Sequence, residues 1–178
     1  MTNMKYEFVE GDERVVAPGV VVKRIRALVA ISATFFAPAV APGDMGGYVQ
    51  SEANLMVSGS AWVYGNAWVY GDAQVSGDAQ VYGDARVYGN ARVYGDGLVF
   101  WASKVGTENG TLTAYSAKGD AILVTRGCFL GTAAEFLAKS AKEHDERTHR
   151  EYGLLLEVAK SRIDAARAST PRPIGDQP

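Results

Sequence analysis

The chain has 178 residues, 47% hydrophobic and 21% charged, with a formal net charge of -2 at pH 7. That length suits one domain with a small appendage, and the composition is that of a globular protein rather than a fibrous or disordered one. The balanced charge excludes a general pull toward long nucleic acid or an anionic membrane. A single cysteine, Cys128, excludes an intrachain disulfide and fits a reducing, cytoplasmic setting.

In chain order, residues 1–42 read as an N-terminal β cap. The opening MTNMKYEFVEGDE has no apolar signal core, so no export signal is expected. KYEFV predicts a strand, EGDE a turn, and VVAPGVVVKRIRALVAI a return strand. Lys23, Arg24 and Arg26 form a basic cluster that is either a solvated strand face or an anion-binding patch. The longest apolar stretch, ALVAISATFFAPAVAP from Ala27, is broken by Ser, Thr and Pro and is too short to span a membrane.

Residues 43–104 carry the dominant signal. The unit A-x-V-x-G-[DN] runs without error through six copies from Ala61 to Asp96. Degraded units flank it at Leu55–Ser60 and Gly97–Ala102, and weaker traces reach back to Gly46. Within each unit Ala61 and Val63 point one way, Trp62 and Tyr64 the other, which is the alternation of a strand. Gly65 and Asn66 then turn the chain, Gly by tolerating unusual backbone angles and Asn or Asp by closing the turn with its side chain. A helix would scatter the valines around its axis and be weakened by the glycines. Internal repetition at a fixed short period predicts stacked coils with every Val inside.

Residues 105–168 read as a hairpin around Lys118–Gly119 followed by two helices. Thr132 with Glu135 three positions on is a capping box that opens the first helix, which runs to about Glu143. The second spans about Glu146 to Ala168, with Tyr152, Leu155, Leu156, Ala159 and Ile163 on one face. Residues 169–178, STPRPIGDQP, have the composition of a disordered tail.

Val63 followed four residues later by Ala67 resembles the motif of the hexapeptide-repeat family of left-handed β-helices. One departure is that Tyr, not Gly, follows the aliphatic residue. The resemblance implies a mainly β fold: a short left-handed parallel β-helix of about three coils, with about eighteen residues per coil, between the N-terminal β cap and the C-terminal hairpin and helices. It also implies a homotrimer. The outward aromatics support association independently, since so many rings are costly to leave in water. The amphipathic second helix would permit two trimers to join. KRIRAL (Lys23–Leu28), GDMGG (Gly43–Gly47), the repeats and GCFLGT (Gly127–Thr132) together resemble small bacteriophage hexapeptide-repeat proteins, some of which sequester immune nucleotide signals.

Enzymatic readings find less support. Hexapeptide acyltransferases would ask for a basic His beside the coils, whereas His144 and His149 both lie in the hydrophilic stretch KEHDERTHRE. A zinc carbonic anhydrase needs three His ligands, and the chain has two. Cys128 reads as a small buried packing residue. No metal or cofactor is expected.

With about eighteen residues per coil, residues eighteen apart stack. Trp62 then lies over Gln80, and Tyr64 over Tyr82 over Phe100. Trp68 lies over Arg86, Tyr70 over Tyr88, Gln74 over Arg92, and Ser76 over Tyr94. The candidate ligand-binding residues are Trp62, Trp68, Tyr70, Arg86, Tyr88 and Arg92, because aromatic rings can hold a base while a guanidinium pairs with a phosphate. The expected function is a non-catalytic homotrimer that captures a small anionic ligand, a nucleotide signal, between subunits in the cytoplasm of a phage-infected host. A structural scaffold and an acyltransferase-like enzyme are the alternatives.

Overall fold

A computed structural model of the chain describes residues 5–34, 37–95 and 97–170. It is mainly β with two helices. The chain enters through β1 (Tyr6–Ala17) and β2 (Val20–Ala27), an antiparallel hairpin. The turn expected at Glu10–Glu13 is instead a bulge inside β1, between the pairs Phe8–Ile25 and Glu13–Lys23. Gly11 takes the positive φ (79°) that such an irregularity needs. The reversal itself comes at Pro18–Gly19, where Pro presets one turn angle and Gly19 adopts φ 73°.

β2 pairs antiparallel with β3 (Met45–Val49), and β3 passes into the repeats. The six repeat units give six two-residue strands: β4 (Trp62–Val63), β5 (Trp68–Val69), β6 (Gln74–Val75), β7 (Gln80–Val81), β8 (Arg86–Val87) and β9 (Arg92–Val93). They pair in parallel on three ladders, Trp62 with Gln80, Trp68 with Arg86 and Gln74 with Arg92. The partners of each pair lie three repeat units apart, the spacing that the resemblance to hexapeptide-repeat proteins implies. β3 extends the second ladder through Tyr48 and Trp68, so the sheet order β1-β2-β3-β5-β8 joins the hairpin to the stack.

The interior is what the alternation predicts. Ala and Val of all six units are 0–1% exposed, and each buried Val contributes roughly 1.5–3 kcal/mol of hydrophobic stabilisation. The turns close mainly through the backbone. The Ala67 N–H donates to the Tyr64 carbonyl at 3.1 Å, and the same bond recurs at Ala79 to Ser76 and Ala85 to Tyr82. The expected side-chain closure is replaced at Asp78, whose carboxylate accepts from Ser60 Oγ at 2.7 Å, a contact between successive levels. Glycine is required at Gly77: φ is 59°, and a Cβ there would run into the Tyr94 carbonyl.

β10 (Val99–Val105), β11 (Gly110–Ser116), β12 (Ile122–Arg126) and β13 (Phe129–Thr132) form an antiparallel meander. The expected hairpin is β11–β12. β10 begins in the stretch read as a last degraded repeat, yet it pairs antiparallel with β11. α1 (Ala133–Glu143) opens on the Thr132–Glu135 capping box, and α2 (Glu146–Ser169) follows. Tyr152, Leu156, Ala159 and Ile163 are buried within the chain, and Leu154 and Val158 on the same helix are exposed. Residues 171–178 of the expected disordered tail lie outside the described residues, and Ser169 is the last residue of α2. Among the described residues no helix is long and apolar enough to cross a membrane.

Candidate functional site

The outward side chains of the three ladders have different fates. On the first, Trp62 is 0% exposed. Its ring meets the edge of Tyr6 from β1 at 6.3 Å, and Gln80 beneath it is buried, donating to the Ser60 carbonyl at 2.9 Å. The N-terminal hairpin thus covers Trp62 and removes it from the accessible set. Farther along this ladder Tyr64 stacks on Tyr82 at 4.6 Å and 8°. Trp101, not Phe100, continues the stack at 5.9 Å. β10 has left the six-residue register, and a one-residue shift exchanges the two faces of a strand.

The second ladder keeps the expected chemistry. Arg86 lies over the Trp68 ring with its guanidinium carbon 4.6 Å from the centroid, and both side chains are half-buried. Tyr70 and Tyr88 stack at 4.5 Å and 12° beside them. Burial raises the Tyr70 and Tyr88 hydroxyl pKa values, so both stay neutral and able to donate. The Tyr88 hydroxyl donates to the Phe129 carbonyl at 3.1 Å. The Trp68 indole Nε1 is buried and meets no hydrogen-bond partner among the described residues.

The signal missed in the sequence is Tyr48, one level above Trp68. Its ring has two guanidinium carbons, those of Arg14 and Arg24, each 4.4 Å from the centroid. Its hydroxyl donates to Asp12 at 2.9 Å and accepts from Arg24 at 2.8 Å. The Tyr48 hydrogen bond, followed by Arg24, holds the Asp12 carboxyl below its usual pKa. Two members of the basic cluster are engaged by carboxylates, while Lys23 is exposed. Arg24 is held by Asp12 at 2.7 Å, and Arg26 Nε donates to Glu7 at 2.8 Å.

Arg92 belongs to the third ladder. Its guanidinium donates to the carbonyls of Asp72 and Ala91 at 2.8 and 3.0 Å, and Tyr94 beside it is buried. Within one chain the fold therefore brings together Trp68, Tyr70, Arg86 and Tyr88, and leaves Trp62 and Arg92 elsewhere. Cys128, expected to be buried, is exposed in the β12–β13 turn. Among the described residues no group of three or more His, Cys, Asp or Glu side chains could hold a metal ion.

No curated protein matches the sequence. Residues 61–77, 73–88, 79–95 and 85–99 each match the YdcK beta solenoid repeat, so the segment carrying the three ladders is similar to a beta-solenoid repeat family.

Proposed function

We propose that the protein is a non-catalytic binding protein that captures a small anionic ligand, a nucleotide signal, on the Trp68–Arg86 ladder. The carrying observation is the half-buried Arg86–Trp68 pair beside the parallel Tyr70–Tyr88 stack. An aromatic face supplies roughly 1–3 kcal/mol per stacked base, and a guanidinium pairs with phosphate oxygens through two parallel bonds.

On this reading the ladders close as a left-handed prism of about three coils. Three copies assemble around the half-buried tyrosines, and each cleft between prisms receives one ligand. The setting is the cytoplasm of a phage-infected cell, as the resemblance to phage hexapeptide-repeat proteins suggests. The test is to incubate the purified protein with cyclic and linear nucleotides, remove free ligand, denature with heat and identify what is released. Intact release of one nucleotide, lost in Arg86→Ala, is the expected result. Retention of nothing would favour the scaffold reading, for which the Tyr64–Tyr82–Trp101 stack, complete within one chain, already speaks. Turnover of an acyl-coenzyme donor that fails in His144→Ala or His149→Ala would favour an enzyme.

A further inference from the structure

The row of side chains that carries the candidate site does not begin at Trp68. Cross-strand partners on a sheet share a face, and the register sets Arg24 opposite Tyr48, Tyr48 opposite Trp68, and Trp68 opposite Arg86. One row therefore crosses β2, β3, β5 and β8, with about 4.8 Å from strand to strand. Its two rings, Tyr48 and Trp68, occupy neighbouring rungs. Arg86 lies on Trp68, and Arg24 and Arg14 lie on Tyr48, Arg14 reaching it from β1.

The three guanidiniums differ in what they have left to donate. Arg24 is fully engaged, by Asp12, by the Tyr48 hydroxyl and by the carbonyls of Gly46 and Gly65. Arg14 and Arg86 make no side-chain hydrogen bond or ion pair among the described residues, and each rests on a ring face alone. Arg14 is exposed and Arg86 half-buried. The acidic groups of the hairpin do not claim Arg14. Asp12 feels its charge but is bonded by Arg24 and Tyr48 instead. Glu7 takes Arg26, Glu13 stands opposite Lys23, and Glu10 lies in the bulge of β1. Asp84 and Asp72 sit in the turns before β8 and after β5, outside the row. A guanidinium that is held by a ring face and open along its edge is oriented without being committed, and its planar fork matches phosphate oxygens.

We propose that Arg14 is a second phosphate-binding residue of this ladder, so that the captured nucleotide presents its phosphate oxygens to two guanidiniums, Arg14 at the Tyr48 rung and Arg86 at the Trp68 rung. The proposal rests on capture at the Trp68–Arg86 ladder and adds a ligand contact from outside the repeats, which makes the N-terminal hairpin part of the site.

The test is calorimetric titration of the full-length protein with the 5′-monophosphates, 5′-triphosphates and 3′,5′-cyclic monophosphates of the common ribonucleosides. Wild type is compared with Arg14→Gln, Arg14→Lys and Arg86→Ala. For the nucleotide that wild type binds, Arg14→Gln should raise Kd about tenfold, the worth of one charge-assisted contact. Arg14→Lys, which keeps the charge but not the fork, should fall between the two. Because Arg14 is exposed, the loss should appear in Kd and not in the melting temperature. Equal losses in the Gln and Lys variants, together with a fall in melting temperature, would reduce Arg14 to a prop for Tyr48 and overturn the proposal. Wild-type affinity in Arg14→Gln, with binding lost in Arg86→Ala, would overturn it and leave capture at Arg86 standing. A wild type that binds none of these nucleotides would overturn both.

Discussion

The two ends of the repeat stack meet the same problem by different chemistry. A stack of parallel strands exposes unpaired backbone groups at both ends, and such edges recruit other chains unless they are covered. At the N-terminal end the cover is main chain: β3 continues the second ladder, and Leu55 bridges in parallel to Val75 on the third. Buried side chains complete it. Tyr6 packs on Trp62 and donates to the Leu55 carbonyl at 3.0 Å, and Asn54 donates to the carbonyls of Gly71 and Ala73, each at 2.9 Å.

At the C-terminal end β8 has no next strand on its ladder among the described residues, and hydroxyls take its place. Thr113 Oγ1 accepts from the Arg86 N–H at 3.1 Å, and Thr125 Oγ1 donates to the Arg86 carbonyl at 2.9 Å. The Tyr115 hydroxyl donates to the Tyr88 carbonyl at 2.9 Å. The backbone beneath the candidate site is thus held by side chains of the C-terminal meander, each of which can be changed singly. The N-terminal cover depends on burial of large apolar groups.

The largest expected effect therefore lies at the N-terminal end. Trp62→Ala empties the contact with Tyr6 and should cost about 3–5 kcal/mol of stability, read as a fall in the urea midpoint. A cost below that of any C-terminal change would reverse the comparison. Next come Thr113→Val and Thr125→Val, which keep shape but strand one group of Arg86 each, for about 1–3 kcal/mol. Hydrogen exchange should show the loss as faster opening around β8 with β3 unchanged.

Alkaline pH separates the ends further. Lys5 donates to the carbonyls of Met56 and Gly59, and burial lowers its pKa to about 8 against an opposing effect of Asp78. Between about 8 and its usual 10.5 the unfolded chain holds more protons at this position, so its contribution to stability rises with pH. The ladder and C-terminal tyrosines act oppositely. Burial raises the hydroxyl pKa of Tyr70 and Tyr115 and pushes Tyr64 up to about 12. The folded chain keeps phenolic protons that the unfolded chain releases above 10, so stability falls as pH rises past that point. Stability measured against pH should rise and then fall, with the rise absent in Lys5→Met. A curve with the same rise in that variant would contradict the assignment. The smallest stability effect belongs to Arg86→Ala, about 0.5–1 kcal/mol from the lost contact with Trp68, although on the proposed function it abolishes capture.

The interior is readable from sequence because Val63 and its successors repeat at a fixed period, and the registers follow when that period is joined to the three units per coil that the resemblance implies. Trp68 over Arg86 follows once the resemblance supplies three units per coil. What covers an outward residue was not readable. Trp62 and Trp68 occupy the same position in their repeats, and β1 and β3, outside the repeat, bury the first while the second stays half-exposed. Gly11 and Asp12 suit a bulge as well as a turn, and the Pro18–Gly19 pair carries the signal of the reversal itself. Arg14 reaches Tyr48 from β1, and no local spacing links those two residues.

The most direct test of capture on the second ladder is native mass spectrometry of the full-length protein with the nucleotide panel, for wild type and Arg86→Ala. The account predicts a trimer carrying intact ligand, up to one for each cleft, in the wild type, and a bare trimer of the same mass in the variant. A trimer that stays bare with every nucleotide, or one that carries the ligand equally well without Arg86, would contradict it.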